Sequence, residues 1–153
     1  MKALLYSHRN GENVIRKDII QDIVFSLSMT EVVVEKYSIT NFRSAVLSEL
    51  KDKGWSDEVV LDIRSSISIT SEKNGVGLCL QTGNVSRTYA DMIKLQSLFV
   101  QGKLGAGIII VPTVDCAKSF GLCNSATYER LRRELEIFSQ VVTMPIVIIG
   151  FYC

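Results

Sequence analysis

The 153-residue sequence lacks the long apolar segment that a membrane-spanning helix requires. No apolar run approaches the roughly 20 residues that cross a bilayer. The apolar start of the chain gives way to polar residues directly after Tyr6, which is too early for a secretory signal. Repeats, low-complexity tracts and Pro/Gly-rich linkers are missing as well. These absences predict one domain over residues 1–153, located in the cytoplasm and without a membrane partner.

The sequence also has little net charge and no recognisable cysteine framework. Its 17 basic and 16 acidic residues give a net charge of +1, so no global field indicates nucleic acid, although a local basic face can still exist. The four cysteines include no CxxC pair, and the spacing of Cys116 and Cys123 has no second half site of the kind that binds zinc. We therefore expect free thiols, as in a reducing compartment, with neither structural zinc nor disulfides.

Hydrophobic periodicity predicts an α/β domain. Apolar residues at helical spacing predict helices over 12–28, 40–53, 86–101 and 125–141. Thr40 or Asn41 is the expected N-cap of the second helix. Short β-rich or continuous apolar runs occupy 31–37, 106–113 and 144–152. Helices that alternate with buried strands around a hairpin give an α/β domain with a mixed sheet.

Two segments with period-two alternation, 66–70 and 76–81, flank a turn signal at Asn74-Gly75. A two-residue type I′ turn favours this dipeptide because both positions need positive φ. The register counted back from the turn pairs Glu72 with Gly77, Ser71 with Leu78 and Thr70 with Cys79. Cross-strand partners have Cβ atoms about 4.5–5.5 Å apart. Thr70, Cys79 and Gln81 should therefore lie together on one face of the hairpin, where an enzyme could hold a divalent metal.

Six segments carry a family resemblance: "YSHRNG" at 6–11, "FRSAVLSELKDKGW" at 42–55, "EKNGVGLCLQTGN" at 72–84, "RTYADMIKLQ" at 87–96, "GAGIIIVPT" at 105–113 and "MPIVIIG" at 144–150. In this order the sequence resembles the BglII-type restriction endonucleases, a branch of the PD-(D/E)xK nuclease superfamily. The resemblance runs nearly end to end and is most specific over 72–113. It implies a restriction-endonuclease-like fold, a homodimer, and magnesium-dependent cleavage of both strands of a short palindromic site in double-stranded DNA.

The resemblance also implies which residues stand at the catalytic positions. The family hairpin carries an Asp, a Glu and a Gln, and these positions are Thr70, Cys79 and Gln81 in this sequence. Mg²⁺ prefers hard oxygen ligands in an anionic site, whereas a hydroxyl is neutral and a thiol is soft and mostly protonated at pH 7. We therefore expect no metal site and no cofactor. The expected function is that of a DNA-binding homologue with weak or no cleavage, acting as a decoy, a regulator or a partner of an active homologue.

Two other functions stay open at this stage. An active enzyme could use magnesium through relocated ligands such as Glu72, or through Glu12 or Asp18 from the first helix. A scaffold protein would bind no DNA at all. Cys79 itself is either a small buried hydrophobe or a ligand for a soft metal. His8 is expected to form a structural hydrogen bond.

The start of the helix at 86–101 is the expected DNA contact, because phosphates bind Lys, Arg and helix N-termini. The candidate residues there are Asn84, Ser86, Arg87 and Lys94. The alternative is that Ser86 only caps the helix while Arg87 and Lys94 are solvated.

Overall fold

The computed structural model describes residues 1–30, 34–36 and 38–152. The strands are β1 (Lys2–His8), β2 (Val59–Asp62), β3 (Ile67–Ile69), β4 (Ser71–Lys73), β5 (Val76–Leu80), β6 (Ala106–Pro112) and β7 (Ile146–Tyr152). The helices are α1 (Gly11–Val14), α2 (Lys17–Met29), α3 (Ile39–Asp52), α4 (Ser86–Val100), α5 (Val114–Ser119) and α6 (Tyr128–Ile137). No helix in these described ranges combines the length and apolarity that a bilayer span would need.

A mixed five-stranded sheet with the order β1-β7-β6-β5-β4 lies between helices. Strands β5, β6 and β7 run parallel, and β1 and β4 pair antiparallel to them at the two edges. Strands β2 and β3 form a separate antiparallel pair. The predicted α/β class, with a mixed sheet, a hairpin and flanking helices, is confirmed, and the β4–β5 hairpin forms one edge of the sheet.

Helices cover both faces of the sheet, and alternate residues of β5 show the division. Leu78 lies in a buried cluster with Ile23 of α2 and Phe42 of α3. Cys79 lies in a second buried cluster with Leu95 of α4. Period-two alternation along β5 therefore divides the core between two helical layers, as the sequence pattern predicts.

The hairpin turn has the conformation that its sequence predicts. Asn74 and Gly75 both have positive φ, at 51° and 76°. The predicted register is confirmed for the three pairs from Lys73–Val76 to Ser71–Leu78. The ladder stops there because the chain bends at Thr70.

The prediction that 66–70 pairs with 76–81 is wrong, since β3 pairs with β2 instead. Thr70 nevertheless stays beside β5, because its Oγ1 accepts a hydrogen bond from the Leu80 N–H at 3.0 Å. The Thr70 hydroxyl thus accepts the Leu80 N–H, which a backbone carbonyl would have accepted if the β4–β5 ladder had continued.

The first predicted helix is broken into α1 and α2. Ile15 is extended, with φ −81° and ψ 130°, and its side chain is buried while Val14 is exposed. A Cβ on Gly11 would lie 2.6 Å from the Ile146 backbone, so α1 packs closely against β7. Tertiary packing of these few residues overrides the helical periodicity of 12–28.

Other boundaries differ by smaller amounts. Helix α3 begins after Ser38, so Thr40 and Asn41 lie inside it rather than at the N-cap, and the Ser38 hydroxyl donates to the Glu35 carbonyl. Most of the β-rich run at 31–37 lies outside the described residues, and 34–36 are neither helix nor strand. Strands β1 and β2 and helix α5 have no counterpart in the sequence prediction.

The cysteines correct one expectation. Cys79 and Cys123 are free thiols, the first buried and the second exposed. Cys116 is disulfide-bonded, so the expectation of free thiols throughout is wrong for this residue. No spacing motif announces this bond, because a disulfide depends on two residues meeting in the fold.

Candidate nucleic-acid interface

A cleft of about 940 Å³ opens at the carboxyl end of β5, between α3 and α4. Its inner wall contains Thr70, Gln81, Thr82 and Gly83, and the helices add Arg43, Arg87, Asp91 and Lys94. Gln81 continues the sheet beyond β5, because its N–H donates to the Ile110 carbonyl at 2.8 Å. The end of the strand therefore fixes where this residue meets α4.

Thr70 and Cys79, the residues predicted to stand at the family's metal-ligand positions, differ in their access to this cleft. Thr70 lines it, and its hydroxyl oxygen accepts the Leu80 N–H. Cys79 is 2% exposed and packs in the apolar cluster with Met92 and Leu95. Burial raises the pKa of the Cys79 thiol, and the Asp91 carboxylate raises it further. The thiol is therefore neutral at pH 7 and lies behind the cleft wall.

Gln81 faces a buried carboxylate. Its Nε2 donates to Asp91 Oδ2 at 2.7 Å, and its Oε1 accepts the Gly83 N–H at 2.9 Å. The other oxygen of Asp91 accepts from Lys94 Nζ at 3.1 Å. Both oxygens of Asp91 are thus bound, and Lys94 supplies the charge that compensates this buried acid.

Two guanidinium groups line the same part of the cleft. Arg43 Nη1 donates to the Leu80 carbonyl and, at 3.4 Å, to Thr82 Oγ1. Burial lowers the pKa of Arg43; nearby Asp91 raises it, and Arg87 lowers it. The two guanidinium groups are therefore close enough to repel each other inside the cleft.

The remaining DNA-contact candidates lie at the start of α4, outside the cleft wall. Asn84 Oδ1 accepts hydrogen bonds from the Ser86 N–H at 2.9 Å and from the Ser86 hydroxyl at 3.0 Å. These contacts form a local turn directly before α4, whose N-cap residue, Val85, has no side-chain cap. Of the four predicted DNA-contact residues, the structure brings Arg87 and Lys94 together with Thr70 and Gln81 and leaves Asn84 and Ser86 at the helix start.

The acids considered as relocated metal ligands are placed elsewhere. Glu72 Oε1 accepts the Gly75 N–H at 2.7 Å, so its carboxylate holds the hairpin turn. Asp18 pairs with Arg16 at the surface, and Glu12 is exposed on α1. None of these three lines the cleft. His8 is buried and contacts the Val142 carbonyl through Nε2 at 2.7 Å, which is the structural hydrogen bond expected for it.

The donor set around Thr70 and Cys79, where the resemblance implies metal ligands, does not fit Mg²⁺. A hydroxyl oxygen that already accepts an N–H, a buried thiol and an amide oxygen bound to Gly83 replace the anionic oxygens that this ion prefers. The Asp91 carboxylate, which also lines the cleft, is neutralised by Lys94. Across the described ranges, no group of three or more His, Cys, Asp or Glu side chains could hold a metal ion.

Sequence reasoning missed Arg43 and Asp91. Asp91 carries a usable signal, because Arg87, Asp91 and Lys94 recur at positions i, i+4 and i+7 and so share one face of α4. Arg43 has no such signal. Its contact with Leu80 spans 37 residues of sequence and exists only because α3 packs beside the end of β5.

Comparisons with known proteins agree with this architecture. The family model for the restriction endonucleases BglII/BglIII matches residues 4–151. The crystal structure of restriction endonuclease BglII complexed with a DNA 16-mer superposes with a TM-score of 0.85 at 16% sequence identity, over 98% of this chain and 76% of that one. The free BglII structure gives a TM-score of 0.76 at 17% identity, over 100% and 80% of the two chains. A comparison with curated proteins found no match. Because the family model spans almost the whole sequence, the chain belongs to the BglII/BglIII restriction endonuclease family.

Proposed function

We propose that this chain is a DNA-binding homologue of a type II site-specific restriction endonuclease and that it cleaves DNA weakly or not at all. The observation that carries the proposal is the buried, neutral thiol of Cys79 at the position where the family implies a glutamate ligand. Thr70 adds a neutral hydroxyl at the second position. Without two carboxylates the site does not assemble the negative charge that holds Mg²⁺ and activates a water molecule.

The DNA-binding half of the proposal rests on the cleft. Three cationic side chains, Arg43, Arg87 and Lys94, line it beside the family's active-site positions. The BglII structure with the TM-score of 0.85 was solved with DNA, which supports a fold of this kind contacting a duplex. Phosphate contacts by Lys and Arg position a protein on DNA without reading its sequence. We name no target sequence.

A homodimer is also proposed, because the outer face of α4 exposes apolar side chains. Ile93 is 68% exposed and Val100 74%, and Val141 beyond α6 is 70% exposed. Adjacent apolar side chains of this kind often mark a protein interface. Sedimentation should give about twice the 17.0 kDa chain mass. A monomer at micromolar concentration would contradict the dimer and would leave the DNA proposal standing.

Cleavage and binding must be tested together. We expect purified protein to shift duplex DNA in a salt-sensitive manner and to leave supercoiled plasmid intact in Mg²⁺ or Mn²⁺. Efficient magnesium-dependent cutting would show that other ligands have replaced Thr70 and Cys79. Absence of any salt-sensitive DNA binding would instead favour an interaction or scaffold protein.

A further inference from the structure

The cleft has two electrostatically different ends. Arg43 and Lys51 both lie on α3 and are eight residues apart, which is about 12 Å along a helix. At the Lys51 end Lys51 pairs with Asp57 at 2.6 Å, and Glu58, which accepts a hydrogen bond from Ser68, adds a second negative charge. The charge at the Arg43 end has the opposite sign.

Three cations meet one carboxylate at the Arg43 end. Lys94 neutralises Asp91, which leaves the charges of Arg43 and Arg87 in excess. Arg87 forms no ion pair with a carboxylate among the residues that the structure describes. Two like charges facing each other in a partly buried cleft raise the free energy of the empty site, and an anion placed between them lowers it.

We propose that this end of the cleft binds a phosphodiester of the DNA backbone directly through Arg43, Arg87 and Lys94, without a divalent metal ion. This inference rests on the proposed DNA-binding function. The misfit between the donor set and Mg²⁺ is its starting point, since neutral Thr70 and Cys79 cannot hold a cation that would bridge to the phosphate. The basic side chains supply the positive charge that a metal ion would otherwise bring to this phosphate. Asp91 acts as a positioning residue, because it holds Lys94 against Gln81 at the cleft wall.

Fluorescence anisotropy with a labelled short duplex tests this inference, with the protein assayed in EDTA and in Mg²⁺ over a salt series. We expect wild-type affinity to be the same, to within about twofold, in both conditions. Arg87→Gln and Lys94→Gln should each weaken binding by about tenfold, as expected for loss of a charged hydrogen bond, and reduce the salt slope by about 1. Arg133→Gln and Lys17→Gln are matched controls, because both residues are exposed and lie outside the cleft wall.

Arg87→Gln is the decisive variant because its side chain is exposed, whereas Arg43 also supports the Leu80 carbonyl and its loss could disturb folding. Wild-type binding that requires Mg²⁺, or equal losses in the cleft variants and the controls, would overturn the inference and leave DNA binding intact. A wild-type protein that binds no DNA in either condition would overturn the proposed function itself, so the two failures are distinguishable.

Discussion

Placing at position 79 the glutamate that the family resemblance implies is the most informative perturbation, because the structure predicts that Cys79→Glu destabilises the protein. Cys79 is 2% exposed, lies in an apolar cluster with Met92 and Leu95, and has the Asp91 carboxylate nearby. A carboxylate introduced there would be buried without a cation of its own, since Lys94 already pairs with Asp91.

The size of the effect follows from the burial. An uncompensated buried charge destabilises a protein by about 3–5 kcal/mol, against a total stability of about 5–15 kcal/mol. With a urea m-value of about 2 kcal/mol/M, the unfolding midpoint should fall by about 2 M at pH 7. Cys79→Gln is the matched control, because a Gln side chain has nearly the same shape as Glu and carries no charge.

The effect should depend on pH and should not depend on Mg²⁺. Burial raises the pKa of an introduced carboxyl group, so its protonated form is favoured in the folded state. The stability difference between Cys79→Glu and Cys79→Gln should therefore be largest above the raised pKa and should shrink as the pH falls towards about 4.3, the ordinary Glu value. Urea denaturation at several pH values measures this difference. Equal stability of the two variants at pH 7 would refute the reasoning, because it would mean that the site tolerates a buried carboxylate. Rescue of Cys79→Glu by millimolar Mg²⁺ would also refute it, because it would mean that the site binds the ion with a single carboxylate.

Three further predictions concern other parts of the chain. Burial lowers the pKa of His8, the only histidine, so the neutral form is favoured in the folded protein. The free energy of unfolding should therefore fall as the pH drops below about 6.5. In His8→Gln the urea midpoint should lose this dependence on pH. Gly75→Ala should destabilise by about 1–2 kcal/mol in urea denaturation because φ is +76°, whereas Gly105→Ala, which meets no crowded atom, should not. Combining Thr70→Asp with Cys79→Glu should raise the affinity for Mg²⁺ measured by calorimetry. Neither single change should do so, because one carboxylate is a weak magnesium site. An unchanged affinity in the double variant would count against the assigned positions.

The fold was predictable wherever the pattern was strong. The long amphipathic stripe of α4 and the continuous apolar runs of β6 and β7 appear almost at their predicted bounds, because burial of these residues dominates any local preference. β1 and β2 were missed for the opposite reason. β1 is a half-exposed edge strand and β2 has only four residues, so neither presents a clear period.

The sequence predicts part of the candidate site, and the part that it does not predict depends on tertiary contacts. The turn at Asn74-Gly75 fixes the register, and with it the places of Gln81 at the cleft and Cys79 on the same side of β5. The register alone does not show that α4 seals Cys79 from the cleft. A Cβ on Gly77 would lie 2.8 Å from Leu95 Cδ2, so α4 sits unusually close to β5. That approach buries the thiol, and it depends on contacts between residues far apart in sequence.

The neutral side chain at position 79 and the ion pair of Asp91 are physically connected. A charged ligand at position 79 would need water or a cation, and its neighbours could not close into an apolar cluster. With a thiol there, Cys79 lies in one apolar cluster with Met92 and Leu95 of α4, and Asp91 of the same helix lies within hydrogen-bond distance of Gln81. Asp91 is then buried and needs a cation, which Lys94 supplies from one turn further along the same helix. A carboxylate introduced at position 79 alone would therefore face a side of α4 whose nearby cation, Lys94, is already paired with Asp91.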